Sequence, residues 1–197
     1  MKDSIKECMT ASRRNSIKVF TLANCGGWMV GIAGARGTEL KPDRALQHLR
    51  EIGERLRVTT QIFDAQSIAG PIHLIHAARG AALAFKSKRL HARSLDLEIL
   101  CWVAGERQIK VALEKVGVKP HTHEFALVSL GRDRKKIRTA LIQALKKLQL
   151  HGAPEVLKLS PQKIPKLCKI FNVGKVELKT APVENLVLER VALLSTL

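Results

Sequence analysis

Tyrosine is absent and aromatic residues make up 4% of the 197 positions, which disfavours a base-stacking platform of the RRM type. The four cysteines, Cys8, Cys25, Cys101 and Cys168, stand far apart and form no CxxC, so neither a thiolate zinc site nor a disulfide framework is expected. With no charged n-region leading into an apolar stretch at the N-terminus, the expected compartment is reducing and cytoplasmic. No run approaches the ~18 to 20 apolar residues that a membrane-spanning helix needs, so the chain is expected to be soluble. Acidic side chains are scarce: 17 Asp and Glu face 34 Lys and Arg, a formal charge of +17. Such a surplus repels itself unless a polyanion or an acidic partner meets it, which makes nucleic acid the leading partner class. Charge alone does not decide, because membrane-surface binders and thermophilic chains are also basic.

With 46% hydrophobic content the chain can bury a real core of about one domain. Residues 1–15 are polar and mixed in charge and read as an N-terminal extension, leaving 16–197 as the folded part. "SIKVFTLA" and "WMVGIAGA" read as strands joined by a turn at "NCGG". "KPDRALQHLREIGERLR" places Leu46, Leu49, Ile52 and Leu56 at helical spacing behind Pro42. "TTQIFD" and "HEFALVSLG" are further strands, and "EVLKL" is a short candidate. "PIHLIHAARGAALAFKSK" is apolar almost all round, with a stripe at His76, Arg79 and Lys86 that should reach solvent. Ser94 can cap "LDLEILCWVA", Gly105 can end it, and "RQIKVALEKV" can begin the next helix. "RDRKKIRTALIQALKKLQL" is the clearest helix, with one apolar and one basic face; Ser160 to Phe171 and "VENLVLERVALLSTL" complete the helices. The expected fold is α+β, a mixed, largely antiparallel sheet packed by helices in a single domain, with a C-terminal partner-binding helix.

Catalytic constellations are not supported. "GIAGARG" lacks the Lys-Ser/Thr of a P-loop and misses G-x-G-x-x-G, so its glycines read as turn-formers. The pairs His73/His76 and His121/His123 lack the Cys and ligand spacing of a metal site and read as structural or surface histidines. Asp96 and Glu98 fall on different helix faces, and Cys101 sits within an apolar run as a small core residue. No catalytic residue, metal site or cofactor is therefore assigned.

The basic residues are the better lead, because Arg79, Lys86, Arg89, Arg93, Arg107 and Lys110 gather where helices begin and end. Two readings of the junction stay open. The arginines either serve phosphate beside free helix N-terminal N–H groups or satisfy local groups, as Arg107 would with Glu98 or Glu106. Trp102 reads as core. At the C-terminus Leu186, Leu188, Val191 and Leu194 belong to an apolar surplus that either docks a partner or is buried on the chain's own sheet.

Three segments, "IFDAQSIAGPIHLIHAARGAALAF", "ARSLDLEILCWVAGERQIKVALEKVGV" and "LVLERVALL", together resemble the family of small kinase-partner subunits of the KEOPS complex, in its archaeal type. The resemblance covers about 62–118 and the last dozen residues. The first sixty residues and 119–180 match loosely, and His91 and Trp102 stand where the family carries Asn and Tyr. The resemblance implies a non-catalytic regulatory subunit that binds the KEOPS kinase/ATPase and recruits tRNA by its 3′ CCA end for threonylcarbamoyladenosine synthesis. It implies no membrane and no small-molecule substrate. The six basic residues are then the expected RNA contacts, and Leu186, Leu188, Val191 and Leu194 the expected kinase-facing surface. The alternative is a stand-alone basic RNA-binding protein.

Overall fold

A computed structural model of the chain describes residues 16–195; the expected N-terminal extension lies outside the described residues. Strands β1 (Ile17–Thr21), β2 (Met29–Arg36), β3 (Thr59–Asp64) and β4 (Glu124–Gly131) form a sheet in the order β1-β2-β4-β3, and β5 (His151–Gly152) pairs with the far end of β2. Every one of these pairings is antiparallel, so the α+β class holds and the expected admixture of parallel pairing does not.

The two-residue period of a strand sorts side chains to opposite faces. Along β2, Val30 and Ile32 join one buried cluster while Ala33 and Ala35 join another. Helices α1 (Pro42–Leu56) and α5 (Arg134–Lys147) cover the second face. Helices α2 (Pro71–Lys86), α3 (Leu95–Ala104), α4 (Ile109–Val116), α6 (Ile164–Phe171) and α8 (Val183–Leu193) contribute to the first, and the single turn α7 (Glu177–Thr180) precedes α8.

Two of the three glycines of "GIAGARG" are not turn-formers, while Gly37 follows the end of β2. Gly31 and Gly34 lie inside β2. A Cβ on Gly31 would come within 2.5 Å of the Ile137 side chain, and one on Gly34 within 2.5 Å of the Ala153 carbonyl. Close approach of helix and turn to the sheet is their role. "EVLKL" is likewise not a strand: Pro154, with no N–H for a ladder, starts a 3-10 turn over Pro154–Leu157, and the pairing falls on His151–Gly152 instead. The helix expected from Ser160 opens as a 3-10 turn, Pro161–Lys163, before α6.

An edge strand exposes carbonyls that invite pairing with another chain. Here Arg134 donates to the Val19 carbonyl (3.0 Å) and Arg138 to that of Ile17 (3.4 Å), so two cations of α5 guard β1. At the far end of the sheet Arg36 pairs with Glu124 (2.9 Å) and Glu155 (2.6 Å), and Lys166 with Asp64 (2.6 Å). These bonds fasten the C-terminal segment to the sheet. Lys163 is buried beside them and donates to the Val156 carbonyl (2.5 Å); burial lowers its ammonium pKa, against the opposing pull of Glu124 and Asp64.

His73 joins three elements. Its Nδ1 accepts from the Ala69 N–H (3.2 Å), its Nε2 lies 2.9 Å from the Val103 carbonyl, and its ring meets Phe171 edge-on at 5.5 Å. An acceptor at Nδ1 and a donor at Nε2 require the neutral imidazole, and burial pushes its pKa down from 6.5 to about 4. A group that resists protonation only when folded adds stability above pH 6.5 that is lost as pH falls toward 4. The gap corresponds to roughly 3 kcal/mol at ~1.36 kcal/mol per unit. Urea unfolding at pH 7 and pH 4.5 should show a loss of that order in the wild type and a clearly smaller one in His73→Gln, whose amide can accept and donate without titrating.

Candidate functional site

Helix α2 carries alanine or glycine at 77, 78, 80, 81, 82 and 84, which lets α3 approach closely. Gly80 is where the approach is tightest, because any Cβ there would overlap the Trp102 ring. The indole is thereby laid flat on α2, almost wholly buried, and its Nε1 donates to Glu98 Oε1 (2.9 Å). Glu98 and Trp102 stand at i, i+4, neighbours on one helix face.

Glu98 is fully buried, and a lone buried carboxylate would cost several kcal/mol. It is offset by four donors. Besides Trp102, the His91 N–H (2.8 Å) and the Ala92 N–H (2.9 Å) reach Oε2, and His91 Nδ1 (2.9 Å) reaches Oε1. The segment between α2 and α3 is thus tied to the floor of the fold. Ser94 occupies the N-cap of α3 as expected, but its hydroxyl makes no cap bond and donates to the Asp96 carboxylate instead. Gly105 does end α3, in the left-handed region at φ 58°.

Over Trp102 opens a cavity of about 600 Å³. Gly80, Leu83, Ala84 and the indole make its apolar side; Lys86, Ser87, Arg89, His91, Arg107 and Ser195 make its polar side. The structure therefore brings Lys86, Arg89 and Arg107 together. Arg79 does not line the cavity and donates instead to the Ala23 carbonyl (3.4 Å) of the β1–β2 turn. Arg93 and Lys110 are exposed outside it. No carboxylate lines the cavity among the described residues. The rival partners for Arg107 are taken: Glu98 by the four donors, and Glu106 by Lys115 (3.3 Å) and the Gln108 N–H (3.1 Å). Lys86 and Arg89 lie at the C-terminal end of α2, where the helix dipole favours cations.

His91, Ser87 and Trp102 were not among the expected contacts. The Glu98/Trp102 spacing is a signal visible in the sequence; the burial of Glu98 beneath residues 91 and 92 is not. Cys101 is buried, and burial, followed by the charges of Glu98 and Glu106, pushes its thiol up to about 11. It stays protonated and inert at neutral pH.

The C-terminal stripe corrects the expectation of an outward-facing surface. Leu186, Val191 and Leu194 are buried in the chain's own core and Leu188 is half-buried. Apolar exposure on this segment lies instead at Val176 (75%), Leu178 (38%) and Leu193 (45%). No helix among the described residues is long and apolar enough to cross a membrane.

Sheet, covering helices and pocket define an α+β protein with a cationic cavity at the junction of α2, α3 and α4. The chain belongs to the family of kinase-binding proteins CGI-121, whose model, described as "Kinase binding protein CGI-121", matches residues 43–195. No curated protein matches the chain in sequence.

Because Gly80 leaves no room for a methyl group, Gly80→Ala should drive the indole off α2 and break its bond to Glu98. A loss of about 1 to 3 kcal/mol in urea unfolding is expected. A variant as stable as the wild type would contradict the described α2–α3 approach.

Proposed function

We propose that this chain is a non-catalytic subunit of a cytoplasmic KEOPS complex for tRNA threonylcarbamoyladenosine synthesis. In this reading it binds the complex's kinase/ATPase and recruits tRNA by its 3′ CCA end, with no cofactor or small-molecule substrate of its own. Membership of a kinase-binding family supports the first half.

The RNA half rests on the convergence of Lys86, Arg89 and Arg107 around one open cavity with no carboxylate in its lining. Three cations beside an apolar wall of indole, Leu83 and Ala84 suit a short single strand, whose phosphates need charge and whose sugars and bases need an apolar wall. Arg79, Arg93 and Lys110 extend the positive field at a distance from the cavity and steer rather than grip. On the protein side, Leu188 offers the accessible part of the stripe and Val176 and Leu178 offer exposed apolar groups ahead of α8, while Leu186, Val191 and Leu194 are buried and hold α8 in place.

Binding of intact tRNA is expected to exceed that of tRNA lacking its terminal nucleotides, with Arg89→Glu and Arg107→Glu each weakening it roughly tenfold or more, the scale of one charged hydrogen bond. Equal affinity for the two RNAs would refute end recognition. For a short CCA-ended oligonucleotide held at three phosphates, log K should fall by about 2 per decade of salt.

Gel filtration with the KEOPS kinase should give a one-to-one complex that Val176→Glu/Leu178→Glu disrupts without changing the far-ultraviolet circular dichroism. Absence of any complex with the wild type would favour a stand-alone RNA-binding protein.

A further inference from the structure

Helix α5 carries Arg134, Lys135, Lys136, Arg138, Lys146 and Lys147 and no carboxylate in its 14 residues. Its apolar residues, Ile137, Ala140, Leu141, Ala144 and Leu145, are buried against the sheet, so the lysines are left on the outer side and are exposed. Arg134 and Arg138 reach the edge-strand carbonyls. Lys135, Lys136, Lys146 and Lys147 have no carboxylate within ion-pair distance among the described residues. Beside their C-terminal pair runs a groove of about 620 Å³ between α1 and α5. Arg55 from α1 spans it, donating to Gln143 Oε1 of α5 at 2.6 Å. The one carboxylate in the groove, Glu51, is engaged by Gln47 (3.1 Å) and lies 3.5 Å from His48 Nδ1.

We infer that this α1–α5 face is a second nucleic-acid surface, which holds the sugar-phosphate backbone of an RNA duplex. Lys136 and Lys146 stand ten residues apart, or about 15 Å along the helix at ~1.5 Å per residue, so the cations span several backbone phosphates rather than one. The face lies across the sheet from the Trp102 cavity, which belongs to the other core. It therefore suits the body of a folded RNA better than the same short tail. A protein partner fits less well: stable protein interfaces have an apolar centre, and the exposed large apolar residues, Ile72, Phe85, Leu113, Val176, Leu178 and Leu193, all lie off α1 and α5. Phosphate backbones need only distributed cations.

This inference rests on the RNA reading of the chain, and the two fail separately. The test compares wild type with Lys135→Gln/Lys136→Gln/Lys146→Gln/Lys147→Gln, binding either intact tRNA or a single-stranded CCA-ended oligonucleotide across a range of salt. All four positions are exposed, so circular dichroism and melting should be unchanged. The variant should bind intact tRNA at least tenfold more weakly at low salt and with a shallower salt slope, while its affinity for the oligonucleotide stays within about twofold. Unchanged tRNA affinity and slope would overturn the duplex surface and leave end recognition standing. Equal losses on both RNAs would overturn it as well, since the lysines would then act through general charge. Wild type that binds neither RNA would overturn both readings. Lost binding to the KEOPS kinase with RNA binding intact would show a protein-docking face and overturn this one.

Discussion

Glu98 is the constraint on which the candidate site depends. A carboxylate with no exposure is tolerable only when its oxygens are fully engaged, and here it gathers donors from residues 91, 92 and 102. That one requirement fixes the indole on α2, sets the path of the chain from α2 to α3 and holds the His91 ring against the cavity. It also engages a carboxylate that the sequence offered as a partner for Arg107. The same buried group thus shapes the pocket and leaves its cations unneutralised.

The wider charge distribution follows the same logic. Of the 17 acidic side chains that face 34 basic ones, six are committed to ion pairs with Lys or Arg: Glu124 and Glu155 on Arg36, Asp64 on Lys166, Glu106 on Lys115, Asp96 on Arg50, Glu177 on Arg190. Most of these fasten one element to another, and none of them lines the cavity over Trp102. Exposed ion pairs of this kind add little stability each. Their larger consequence is where they leave positive charge uncovered, with self-repulsion that a polyanion would relieve.

Much of the architecture is legible from periodicity. Strands β1 to β4 and the seven expected helices appear close to where their patterns place them, because both periods arise from backbone geometry alone. What escapes is tertiary. Gly31 and Gly34 read as turn-formers because nothing local tells that Ile137 and Ala153 press against β2. Leu186, Val191 and Leu194 read as surplus because the depth of the core beneath α8 is set by α2, α3 and α6, distant in sequence. At the site, the cluster of Lys86, Arg89 and Arg107 was visible as residues near helix ends. The turn of Arg79 toward the Ala23 carbonyl and the tie of residues 91 and 92 to Glu98 are tertiary, and no spacing rule reveals them. Family membership supplies the kinase-binding role; the chemistry of the pocket supplies the reason for the proposed RNA role.

Hydrogen–deuterium exchange of the chain, with and without a saturating CCA-ended oligonucleotide, addresses the central claim most directly. Protection is expected in two windows, 84–92 and 105–110, which converge on the cavity over Trp102. Protection confined to other segments, with both windows exchanging as in the free chain, would contradict it.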